Sequence, residues 1–199
     1  YQDAIDFAAA NNLDVRVYNL HSTFYKSVEF KPGVRLIAEN SSITVDGDFL
    51  KIPFTTQEHC ETDHLAFVGD LHISGMKFIC LAELPAAGVF VNYVAWRAVN
   101  VRKWSMTNCT FENIGGGYVA HAIRFFGDYD DNVSNNPSPA ADPAVFSGLT
   151  TTGGDLNEDL LFAYNSCYIP VRESDGLKTL VQAFRHEFCE RVWIIDNTS

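Results

Sequence analysis

Carboxylates gather toward the end of this chain, with Glu173 and Asp175 in one polar turn and Glu187 and Glu190 in a charged stretch beyond it. One of the first pair facing one of the second would make an acid–base couple, one carboxyl giving a proton while the other activates a nucleophile. A second set, His121, Arg124 and Asp128, joins a titratable imidazole, a permanent cation and a carboxylate. Those types suit proton abstraction beside an acidic group that a cation neutralises. Trp96 and Trp104 flank Arg97, Arg102 and Lys103, and aromatic rings beside cations can stack on sugar rings. None of these sets carries a signature spacing, so the elements that position them decide whether they meet.

Other chemistries are excluded by spacing and charge. Gly115-Gly116-Gly117 lacks the GxGxxG order of a dinucleotide loop and reads as a wide turn. The Asp128, Asp130, Asp131 and Asn132 cluster lacks the Gly and terminal Glu of an EF-hand. Five cysteines form no CxxC pair, so no zinc site, and no metal or cofactor of any kind, is expected. Cys109 and Cys167 read as small inward-facing core residues, and such reduced cysteines fit folding in a cytosol. A net charge of −11 and a pI near 4.8 argue against a nucleic-acid partner, which a basic patch must hold. No apolar run reaches the roughly 18 residues of a membrane-spanning helix, so no membrane insertion is expected.

A six-residue pattern organises the chain: apolar, two small or polar residues, apolar, any residue, apolar. It stands at Met106-Thr107-Asn108-Cys109-Thr110-Phe111 and at Ile73-Ser74-Gly75-Met76-Lys77-Phe78. Further copies start at Asn40 (with a polar first position) and at Tyr164, and a weak one starts at Ile194. Self-similarity at a period of roughly 20–50 residues signals a repeat architecture. Ankyrin repeats share the period, but the segments here alternate apolar and polar as strands do, without helical spacing. Doublets such as Ser41-Ser42 and Thr107-Asn108 break the alternation where a tight bend suits them. Strand, corner and strand, repeated, make an all-β solenoid.

Residues 1–12 differ. Ala4, Ile5, Phe7, Ala8, Ala9 and Ala10 precede Asn11-Asn12, which fits a short helix with an asparagine stop, capping the first turn of the solenoid. Strands follow at Val15–Tyr18 and Val28–Phe30, then a turn at Lys31-Pro32-Gly33 and a strand over Val34–Ala38. This opening resembles that of the pectate-lyase superfamily of right-handed parallel β-helices. It departs by lacking a proline-glycine before the tyrosine and by having Ala38 where glycine is common. The resemblance covers residues 1–45 and carries no catalytic motif. The domain organisation expected is a capping helix over 1–12 and parallel β-helix turns over 13–199. A long loop is inserted at about 127–157, and the solenoid continues beyond 199.

Within that superfamily the chain is most similar to bacteriophage tailspikes and capsule depolymerases. The resemblance implies a homotrimer in a virion tail, folded in the host cytoplasm, that binds and often cleaves bacterial surface polysaccharide. Hydrolysis needs two carboxyls about 5–5.5 or 6.5–9.5 Å apart. Neighbouring strands lie about 4.8 Å apart, so Glu173 or Asp175 against Glu187 or Glu190 is the expected catalytic set. A lyase would use His121, Arg124 and Asp128 instead. Two alternatives stand beside it: a non-catalytic binding or structural β-helix of a virion or adhesin, and a secreted pectate lyase or polygalacturonase.

Overall fold

The Ala-rich opening forms α1 (Gln2–Asn11), which buries Ile5 and Ala8 and stops at Asn12 in the left-handed region. Asparagine tolerates that conformation, so the stop read from the sequence is the stop that forms. The computed structural model describes residues 1–46, 52–56, 68–81, 93–120, 157–168, 183–186 and 189–198. The Gln2 side chain does more than begin the helix. Its amide donates to the Glu29 carbonyl at 3.0 Å and accepts the Glu29 N–H at 2.8 Å. It thereby occupies the hydrogen-bonding positions that a further strand would take at the edge of β3 (Val28–Glu29).

The rest of the described chain is almost entirely strand, in two parallel sheets. The first runs β1 (Val15–Tyr18), β4 (Arg35–Val45), β6 (Val68–Cys80), β8 (Val101–Thr107), β11 (Asn157–Ala163) and β14 (Cys189–Ile195). Short strands β2 (His21–Phe24), β9 (Thr110–Glu112) and β12 (Ser166–Tyr168) extend it past a bend. The second runs β3, β5 (Phe54–Thr55), β7 (Val94–Val99), β10 (Gly115–Ala120) and β13 (Phe184–His186). In both sheets the spatial order follows the chain order, one strand added at each pass.

Alternation decides which side chains go inward. Leu36, Ile73, Met106 and Phe162 are register partners across four strands, and all are buried. A second inward row, Leu71, Trp104 and Leu160, runs beside it. Rings stack within and between the sheets: Phe111 on Phe78 within the first, with centroids 5.5 Å apart, and Phe162 on Phe184 across the two at 5.0 Å. Such pairs contribute roughly 0.5–1.5 kcal/mol each beyond the area they bury.

The corner that breaks the alternation falls at one register position on every pass. Asn19, Asn40, Gly75, Asn108, Tyr164 and Asp196 all have positive φ, between 45° and 73°. The residue after the corner loses its ladder partner there, and a side chain from the next strand replaces it. Leu20 N–H donates to Ser41 Oγ at 3.1 Å, Cys109 N–H to Asn165 Oδ1 at 2.9 Å, and Asn165 N–H to Asn197 Oδ1 at 2.9 Å. The two asparagines also donate back, to the carbonyls of Met106 and Phe162. An unmet buried amide costs about 1–3 kcal/mol, which each of these side chains avoids.

Three sequence expectations need correction. The copies at Ile73 and Met106 are in register as read, but Tyr164 aligns with Asn108, and Phe162 takes the place opposite Met106. The copy at Asn40 slips by the same amount, since Ile43 pairs with Phe78, whereas Ile194 pairs with Phe162 and so stands in register with Met106. A two-residue slip keeps every side chain on its own face, so hydropathy alone cannot detect it. It also separates the two cysteines, since Cys167 pairs with Phe111 rather than Cys109. Finally, Gly115–Gly117 begins strand β10 instead of forming a turn. A Cβ on Gly116 would stand 2.5 Å from the Phe162 ring, and one on Gly117 2.7 Å from the Trp104 ring, so glycine makes room for core aromatics.

Gly75 combines a φ of +73° with a would-be Cβ 2.2 Å from the Ala38 carbonyl oxygen, whereas Gly33, at φ +74°, has open space around it. Gly33→Ala is expected to cost about 1–2 kcal/mol from backbone strain alone. Gly75→Ala adds a backbone clash and should cost at least about 3 kcal/mol. Urea midpoints of the two variants measure the difference; equal losses would contradict the register of the corner.

Candidate functional site

A second corner column lies five residues before the first: Asp70, Lys103, Asp159 and Arg191, each with φ between 55° and 58°. Left-handed residues at a bend project outward, so four charges of alternating sign line up on the surface of the first sheet. Beside them, Arg102, Glu158 and Glu190 are register partners on β8, β11 and β14. Lys103 lies 3.4 Å from Asp70, and Arg102 3.5 Å from Glu158.

Arg191 is the hub. Its Nε donates to Asp159 at 2.6 Å, and its terminal nitrogens reach Glu158 at 2.7 Å and Glu190 at 3.2 Å. The forked guanidinium can serve three carboxylates because its five donors point in fixed directions. These hydrogen bonds, first from Arg191, hold the Asp159 carboxyl below its usual range, and the same contacts hold Arg191 still more firmly protonated. Asp159 is therefore an ionised group and a weak base, able to steady positive charge but not to donate a proton. Glu158 and Glu190 differ in access, their side chains being 20% and 49% exposed. Two carboxylates thus stand on adjacent strands, close enough for one guanidinium to touch both.

The next outward column holds Arg35, His72, Ser105, Leu161 and Trp193. Arg35 is paired with Asp14 at 2.8 Å, and His72 Nδ1 meets Ser105 Oγ at 2.7 Å. Burial, with help from Arg35 and Lys103, lowers the His72 pKa below 6.5 against the opposing pull of Asp70 and Asp14. On the second sheet, Arg97 and Arg185 approach the Tyr118 ring at 5.8 and 4.8 Å.

Of the residues expected to act, Glu190 belongs to the carboxylate cluster, and its register partner is Glu158, which the sequence reading passed over. The signal was available: Asn157-Glu158-Asp159 lies one repeat before Cys189-Glu190-Arg191, but the slipped register hid the match. Trp96 and Trp104 must be corrected. Both are fully buried, 5.3 Å apart, with Trp96 against Phe30 and Trp104 against Phe184, so neither offers a face to a sugar. The exposed tryptophan is Trp193. Glu173, Asp175, Glu187, His121, Arg124 and Asp128 lie outside the described residues.

Burial pushes the Cys109 thiol up to about 12 and the Cys167 thiol to about 11, so both stay neutral and unreactive. Among the described residues no group of three His, Cys, Asp or Glu side chains is placed to hold a metal ion, and no helix is long and apolar enough to cross a membrane. No family model, curated protein or solved structure matches the chain.

Because folding lowers the His72 pKa, the unfolded chain binds its proton more tightly. The stability this group contributes is present above pH 6.5 and falls away as the pH drops below it. Urea midpoints measured from pH 7.5 to 5 should decline in the native protein and decline less in His72→Asn. Parallel curves for the two proteins would show that His72 is not the group responsible.

Proposed function

We propose that the chain is a right-handed parallel β-helix of the pectate-lyase-like kind, and that it binds and hydrolyses bacterial surface polysaccharide as tailspike proteins do. The single observation that carries the reading is the pairing of Glu158 with Glu190 on neighbouring strands of an exposed face, beside an ionised Asp159. The winding is supported by two parallel sheets that the chain visits alternately, adding one strand to each in chain order. A long, regular outer face of this kind suits an extended polymer, whose sugars recur along it.

In this reading Glu190, the more exposed of the pair and the more loosely held by Arg191, protonates the leaving oxygen. Glu158 faces the sugar carbon or the water that attacks it, and Asp159 steadies the positive charge that develops on the ring. Backbones about 4.8 Å apart allow the two flexible side chains to take up the carboxyl separation of about 5–5.5 Å that retaining hydrolysis uses. The homotrimer and the virion tail belong to the same proposal. A non-catalytic binding or structural β-helix is the second reading, favoured by the fact that Arg191 already engages all three carboxylates. Cys109 and Cys167 are free thiols, which weighs against the secreted alternative.

The test is an assay of purified protein on a panel of capsule and O-antigen polysaccharides, scoring new reducing ends and unsaturated sugars. Hydrolysis predicts reducing ends without unsaturation, and a loss of about 100-fold or more in kcat for Glu190→Gln and Glu158→Gln with the fold intact. Unsaturated products would replace hydrolysis by elimination. A glycan that binds and is never cut would leave the second reading.

A further inference from the structure

We propose that Trp193 is a stacking platform for a sugar ring beside this carboxylate cluster, and that the ring it takes carries no charge. The inference rests on the polysaccharide reading above for the kind of molecule bound, and goes beyond it in naming the subsite and the class of glycan. Trp193 sits in the outward column with Leu161 and Ser105, two residues after Arg191 on the same strand. At about 3.3 Å per strand residue, its Cα lies roughly 7 Å from that of Arg191, whose guanidinium gathers Glu158, Asp159 and Glu190. It is 45% exposed, while the other two tryptophans have no exposed surface. A large flat apolar ring standing beside hydrogen-bonding carboxylates is what the C–H face and hydroxyl rim of a pyranose need: the indole takes the face and the carboxylates take the hydroxyls.

Charge decides which pyranose. Three carboxylates face two guanidinium groups, Arg191 and Arg102, within ion-pair distance. With Glu190 protonated as the acid, Glu158 and Asp159 already balance both guanidinium groups, and the whole chain carries −11. A uronate or sialate would bring another negative charge into that field and compete with the carboxylates for Arg191. An uncharged hexose or N-acetylhexosamine meets no such penalty. Elimination requires a uronate, so the same charge argument points to hydrolysis.

The distribution of tryptophans supplies the experiment. Quenching by acrylamide, an uncharged probe, reads Trp193 and leaves buried Trp96 and Trp104 silent. Oligosaccharides prepared from the same panel, sorted into uncharged and uronate- or sialate-bearing sets, are titrated while binding is followed independently by calorimetry. The proposal expects at least one uncharged oligosaccharide to reduce Trp193 quenching by about half or more. It also expects Trp193→Ala to weaken that binding about tenfold or more, Trp193→Phe to restore most of it, and thermal unfolding to stay unchanged in both. Protection by charged oligosaccharides equal to or above that by uncharged ones overturns the charge argument. Calorimetric binding with Trp193 quenching unchanged overturns the platform and leaves the polysaccharide reading standing. Absence of binding across the panel overturns both.

Discussion

A strand that bends at the same place on every pass creates one recurring problem, and the structure is arranged around its solution. The bend requires a residue in the left-handed region, and the next residue turns its N–H away from the ladder. Small and amide side chains solve both parts. Asn19, Asn40, Gly75 and Asn108 tolerate the dihedral, while Ser41, Asn165 and Asn197 reach to the previous strand and accept the stranded N–H. Once the corners are aligned, the inward rows align too. Leu36, Ile73, Met106 and Phe162 then fall over one another, and the aromatic rings of both sheets can stack.

The same arithmetic places the outer charges. Because Asp159 and Arg191 occupy equal positions on adjacent strands, one guanidinium is brought against three carboxylates without any loop to position it. Each exposed ion pair is worth little by itself. Their value is geometric, since a fixed Arg191 fixes where Glu158 and Glu190 stand relative to each other.

Much of this was legible in the sequence. The alternation in Val15–Tyr18, the Thr107-Asn108 bend and the asparagine stop at Asn12 all carry local propensity that tertiary packing did not override. The register between β8 and β11 was not legible. Tyr164 read as an inward apolar residue by its type, but it occupies a corner where turn residues stand elsewhere and is 56% exposed. That slip in turn hid Glu158 as the neighbour of Glu190. Trp96 and Trp104 misled for a different reason. Flanking cations marked them as surface residues, but Arg97, on a strand buried on both faces, is itself mostly enclosed. The glycine triplet misled because glycine in a strand is read as a break, and here it clears space for Phe162 and Trp104.

The central claim is that equal register positions stack, with Phe162 and not Tyr164 opposite Met106. The chain has only two methionines, so the ε-methyl of Met106 can be labelled and assigned with ease. A methyl nuclear Overhauser spectrum should connect that methyl to the Ile73 side chain on one flank and to the Phe162 ring on the other. Cross-peaks to the Tyr164 ring in place of Phe162, or to neither Ile73 nor Phe162, would contradict the stacking on which the fold and the site depend.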